Sequence, residues 1–166
     1  MRLKLLSIFA ASLLVAACES TSDSADDSAG DGDVMIVEEI IVEVEEINPR
    51  SPEYITEVLG DRVYFDFNSS VINAQAQGTI KRWAEWMNAY TDIFVVVEGH
   101  CDERGTREYN LALGERRANA VKNYLVALGV DPVRIGTISF GKERPAVEGH
   151  TEAAWAQNRR VVLVMG

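Results

Sequence analysis

Residues 93–128 read IFVVVEGHCDERGTREYNLALGERRANAVKNYLVAL. The opening five, Ile93 to Val97, are apolar without a break, as suits a central strand covered on both faces. Further on, Leu111, Gly114, Ala118, Val121, Leu125 and Leu128 recur on one stripe of a helix, and Gly129 stands where that helix would stop. A strand that runs into a helix is a building unit of an α/β sheet. Between the two lie His100, Cys101, Asp102, Glu103 and Arg104, at the carboxyl end of the strand, where ligands collect in such sheets.

The flanking sequence extends the pattern. VYFDF, residues 63–67, is a short strand with aromatics, and Ala76, Ile80, Trp83, Ala84, Met87 and Tyr90 fall at helical spacing between Ile72 and Tyr90. RIGTISF, 134–140, is a third strand, TEAAWAQN, 151–158, a short helical turn, and RRVVLVM, 159–165, a closing strand. The order β-α-β-α-β-β predicts an α/β sandwich, one mixed sheet with helices packed on it.

The amino end has a different character. Arg2 and Lys4 precede an apolar run from Leu5 to Val15, and Ala16, Ala17 and Cys18 follow. That is the layout of a secretory signal peptide over residues 1–17, with a run too short to span a bilayer. Val15-Ala16-Ala17-Cys18 resembles a bacterial lipobox, which would make Cys18 the acylated first residue of the mature chain. Cys101 would then be a lone thiol. Glu19, rather than Asp, after the lipidated residue leans toward the outer membrane.

Charge is unevenly distributed. Residues 19–62 hold 14 acidic side chains against Arg50 and Arg62, whereas from Val63 onward 12 acids balance 12 bases. The basic excess of a nucleic-acid binder is absent. Residues 20–33, all Ser, Thr, Asp, Gly and Ala, cannot bury enough surface to offset chain entropy and read as a self-repelling tether. As a coil, residues 19–62 would span roughly 35–40 Å, and pulled straight on the order of 145 Å. Within them VMIVEEIIVEVEEI, 34–47, fits one face of a helix and the alternation of a strand equally well. Asn48-Pro49 and Ser51-Pro52 then break the chain. The organisation expected is therefore a signal peptide to residue 17, a lipidated Cys18 with an acidic tether to residue 49, and one domain over 50–166.

The cluster after the central strand admits three chemistries. A metal site is disfavoured, because consecutive strand residues point to opposite faces and there is no Cys-x-x-Cys or His-x-x-x-His spacing. A thiol nucleophile at Cys101 would need a base, and His100 beside it would point away, so a small residue near a strand end is the plainer reading. A charged receptor fits better. Asn110 and Arg117 lie seven residues apart on one helix face, and Arg117 precedes the core residue Ala118, so it can reach back over the packing seam to the loop carrying Asp102. A carboxylate takes an ammonium, and an Arg fork takes a carboxylate in two parallel hydrogen bonds, so together they suit an amino-acid head group. Spacing alone equally allows Asp102 and Arg117 to pair only with each other.

GDRVYFDFNSS, EGHCDERGTREYNLALGERRANAVKNYLVALGV and ISFGKERPAVEGHTEAAWAQNRRVVLVM together resemble the OmpA C-terminal-like domain family, across roughly residues 50–166. The resemblance is strongest to its membrane-anchored lipoproteins. It implies a domain that is not an enzyme, needs no cofactor, and binds the peptide stem of peptidoglycan at the D-centre of diaminopimelate. By motif position, the family's Asp and Arg for the ammonium and carboxylate fall on Asp102 and Arg117. Supporting positions fall on Asp66, Phe67, Asn110 and Arg159, with Asp66 and Arg159 open to a ligand role or a scaffold role. The resemblance further implies an outer-membrane anchor through Cys18, TolB and the Tol system as partners, and a part in cell division. A wall-binding lipoprotein of another envelope machine, or a thiol enzyme using Cys101, are the alternatives. The chain departs from the family at Cys101, where a small residue without a thiol is usual, and in the Glu/Ile/Val-rich stretch 34–47.

Overall fold

The computed structural model describes residues 46–166. The expected signal peptide, Cys18 and the tether as far as residue 45 therefore lie outside the described residues, and so do residues 34–45 of the ambiguous stretch. Its last two residues, Glu46 and Ile47, are in neither helix nor strand.

After a single turn α1 (Pro52–Tyr54) and a π-helical stretch (Ile55–Leu59), the chain runs β1 (Arg62–Tyr64), α2 (Ala74–Ala89), β2 (Val95–His100), α3 (Arg107–Ala127), β3 (Ile135–Gly141), α4 (Glu152–Asn158) and β4 (Arg160–Met165). The four strands form one mixed sheet in the order β1-β4-β2-β3. β2 is parallel to β3 and antiparallel to β4, which is antiparallel to β1. The expected α/β sandwich is the observed fold.

Side chains on the two helices explain their ends. Asn73 caps α2 by accepting from the Ala76 amide at 2.9 Å, and Thr106 caps α3 by accepting from the Tyr109 amide at 3.2 Å. Gly129, at φ +95°, turns the chain just beyond α3. Ile80, Trp83 and Met87 of α2, with Val121 and Leu125 of α3, pack on Val95, Val97, Val161 and Leu163 of the sheet in one core.

Three details differ from the sequence reading. β2 is interior, yet only one face is deeply covered: Val95, Val97 and Gly99 are buried, while Val96 and Glu98 are half-buried and Phe94 is exposed. An apolar run reports burial of the strand without saying that both faces are equally covered. On α3 the buried stripe includes Asn110, Leu113 and Arg117, while Leu111 is only half-buried. The cause is Gly114, which lets the helix lie directly on β2. A Cβ on Gly99 would stand 1.9 Å from the Gly114 carbonyl oxygen, so neither backbone leaves room for a side chain. Lastly, β1 ends at Tyr64, because the chain bends through Asp66 and Phe67 to Asn68 at φ +52°.

Candidate ligand-binding site

That bend turns the carbonyls of Asp66 and Ser69 toward α3, and Arg117 meets them. Its Nε donates to Ser69 O at 2.7 Å, Nη2 to Asp66 O at 3.0 Å, and Nη1 to His100 O at 2.9 Å and to Cys101 Sγ at 3.5 Å. The guanidinium also lies 5.2 Å from the Phe65 ring centre. Arg117 is wholly buried, and burial pulls its pKa down from the usual value. Among the described residues no carboxylate stands within ion-pair reach of it, so its charge rests on backbone carbonyls, the Cys101 sulfur and the Phe65 ring. Four of the five N–H donors of a guanidinium are engaged. One, on Nη2, is left over.

Asp102 is also buried, but it is paired. Arg104 donates to it from Nε at 3.2 Å and Nη2 at 2.7 Å, and the Arg104 amide donates at 3.1 Å. Arg159 Nη1 stands 3.5 Å away, within ion-pair reach without making a hydrogen bond. Burial alone would push the Asp102 carboxyl up; the hydrogen bonds and charge of Arg104, with the charge of Arg159, outweigh it and hold the group below the usual carboxylate range. Asp102 and Arg117 do not pair with each other.

The two charges line one pocket of about 210 Å³, together with Phe67, Asn68, Cys101, Arg104, Tyr109 and Asn110. That is less than the roughly 300–1,000 Å³ of a site that encloses a drug-sized molecule, so it suits the end group of something larger. Asn110 uses both amide hydrogens on Arg104 O (2.8 Å) and Thr106 O (3.0 Å), which holds the loop between Asp102 and α3 in place.

Of the residues singled out from the sequence, Phe67, Asp102, Asn110 and Arg117 come together. Asp66 and Arg159 do not line the pocket. The Asp66 carboxylate is on an exposed residue, and only its carbonyl serves the site. Arg159 is a brace, donating from Nε to Phe65 O at 3.1 Å and pairing with Glu152 at 2.8 Å. Asn68 and Tyr109 escaped the sequence reading, and Arg104 was noted only as one of the charged cluster after the strand. Asn68 accepts from the Tyr109 hydroxyl across the pocket, and its polar side chain in a turn carries no signal that separates it from an ordinary turn residue.

His100 and Cys101 part company. The Cys101 thiol is buried and donates to Asn110 O at 3.3 Å, and burial raises its pKa, the opposite of an activated nucleophile. The His100 ring stacks on Phe140, 5.5 Å between centres, with neither ring nitrogen in a hydrogen bond. Glu98 is 3.5 Å from it, but burial and the nearby Arg160 bring its pKa to about 4, so at neutral pH this is a contact and not an ion pair.

The sequence profile of the OmpA family matches residues 64–159, a span that holds every pocket residue. The peptidoglycan-associated lipoprotein of Mesorhizobium japonicum is 52% identical over 117 residues, 70% of this chain and 70% of that one. That of Rhizobium meliloti is 44% identical over 154 residues, 93% of this chain and 82% of its own. The chain belongs to the OmpA family, among its peptidoglycan-associated lipoproteins. The crystal structure of the peptidoglycan-associated lipoprotein from Burkholderia pseudomallei superposes with a TM-score of 0.66 at 41% identity, covering 70% of this chain and all of that one. In this chain the loop–helix segment that carries Asp102, Arg104, Asn110 and Arg117 is the part of the fold on which the pocket is built.

Proposed function

We propose that this domain grips the cell wall by binding, without covalent chemistry, the diaminopimelate end of the peptidoglycan stem peptide. The observation that carries the reading is the unequal pairing of two buried charges on one pocket. Arg117 is a cation without an anion, and Asp102 is an anion on the same wall. Burying unpaired charge costs stability, so such an arrangement is better understood as a receptor than as a brace. A zwitterionic amino-acid centre answers both charges: its carboxylate supplies the anion that Arg117 lacks, and its ammonium reaches Asp102, which Arg104 holds in the free protein. The relatives' name, peptidoglycan-associated lipoprotein, supports peptidoglycan as the polymer to which such a centre belongs.

On this reading, residues 1–17 are a signal peptide, Cys18 is acylated and held in the outer membrane, residues 18–49 are the tether, and 50–166 work in the periplasm. The protein couples the membrane to the wall. Its partners include TolB and the Tol system, through which it helps the outer membrane follow the wall during division. The raised pKa of Cys101 and the inward-turned His100 favour binding over a thiol-dependent activity.

Co-sedimentation of the full chain, in detergent, with purified peptidoglycan tests this. The protein should pellet with the wall, and free meso-diaminopimelate should release it where lysine at the same concentration does not. Retention unaffected by diaminopimelate would place recognition elsewhere on the domain.

A further inference from the structure

The carboxylate assigned to the ligand's ammonium is already occupied. Arg104 holds both Asp102 oxygens with its fork, through Nε to Oδ1 and Nη2 to Oδ2. Its guanidinium carbon lies 4.1 Å from the centre of the Phe67 ring and 4.1 Å from that of Trp155, in a slot between two aromatics. The slot is built. Trp155 is fixed by its Nε1, which donates to Glu103 at 2.8 Å, and Glu103 in turn meets His150 Nδ1 at 2.7 Å. Cation–π contact on both faces favours a cation there whichever carboxylate it serves.

A ligand ammonium cannot simply be added. Arg104, Arg159 and the newcomer would then crowd one carboxylate beside the unpaired charge of Arg117. A second carboxylate is within reach, however: Glu152, whose Oε1 pairs with Arg159, brings its Oε2 to 3.6 Å from Arg104 Nη1, with its side chain 64% exposed. We propose that Arg104 is a built-in competitor for the ligand's ammonium, released from Asp102 toward Glu152 as the ligand enters, so that the site binds by exchanging one cation for another. The inference rests on the reading of Asp102 as the ammonium's partner. It makes Arg104 a specificity residue: a ligand with a carboxylate but no ammonium has nothing with which to displace it and gains nothing from its removal.

The test is calorimetry of the full chain and of Arg104→Gln with a muropeptide ending in meso-diaminopimelate, and with the same compound acetylated on the D-centre amine. Arg104→Gln should bind the free amine about tenfold tighter than wild type, the scale of one charge-assisted bidentate pair at a half-exposed site. The acetylated compound should bind both proteins equally weakly. A wild-type titration followed by NMR should also show the Arg104 Nε–H signal shifting as the site saturates. Weaker or unchanged binding by Arg104→Gln, or a stationary Nε–H signal, would overturn the exchange while leaving the receptor intact. Failure of wild type to bind the free amine at all would overturn both.

Discussion

Arg117 and Asp102 were legible from the sequence because two turns of helix and a strand end are rigid, and the residues on them are placed by spacing. Their pairing was not. The sequence suggested a mutual bridge or a free fork able to bind a carboxylate in two parallel bonds. In the structure Arg117 gives four of its donors to the chain and keeps one, because the bend at Asn68 presents carbonyls that no residue pattern announces. The sequence placed Arg104 in the charged cluster after the strand without assigning it a partner, because its contacts depend on loop conformation. The buried His100 offers a test at this scale. Its pKa falls from the ordinary 6.5 to about 4 in the folded protein, so below pH 6.5 the unfolded chain takes up a proton that the folded one refuses. Its contribution is therefore nil above pH 6.5 and grows more destabilising as the pH falls toward 4, by at most about 3 kcal/mol. His100→Phe, which keeps a ring against Phe140, should flatten that part of the stability–pH curve in denaturant titrations. An unchanged slope between pH 6.5 and 4 would mean His100 is protonated in the fold.

At the scale of elements, the order of strands and helices followed from periodicity, and the polar caps Asn73 and Thr106 stand where short polar side chains are favoured. What periodicity did not convey was how close α3 lies to β2. That distance is set by Gly99 and Gly114, which as single residues look like interruptions of a strand and a helix. Two alanine substitutions should therefore have opposite signs. Gly99→Ala drives a Cβ into the Gly114 carbonyl and should cost about 3 kcal/mol or more. Gly78→Ala, in an exposed turn of α2 with nothing within 4 Å of the new Cβ, should stabilise by roughly 0.5–1 kcal/mol. Urea midpoints of the two variants decide it. If Gly99→Ala were as stable as wild type, the helix could not lie on the strand as closely as described. The position of α3 also bears on the ligand site, since the same helix carries Asn110 and Arg117.

At the scale of the molecule, the chain separates its tasks by composition. Acidic charge is gathered before residue 62, and the part that follows carries no net charge with which to draw a ligand. On the proposed function, recognition rests on the local field of the pocket, where Arg117 lacks an anion among the described residues and Asp102 holds Arg104 as an exchangeable cation. In the proposed function these two groups, Arg117 and Asp102, read the two charges of a diaminopimelate centre. The most direct measurement is calorimetry of the full chain, of Arg117→Lys and of Asp102→Asn, with muropeptides that carry diaminopimelate or lysine at the same place. Lys at 117 keeps the charge but cannot serve three carbonyls and a ligand together. Wild type should bind the diaminopimelate compound saturably, each variant at least tenfold more weakly, and neither variant should keep a preference between the two compounds. Equal affinity of wild type and both variants for the diaminopimelate muropeptide would contradict the proposed function.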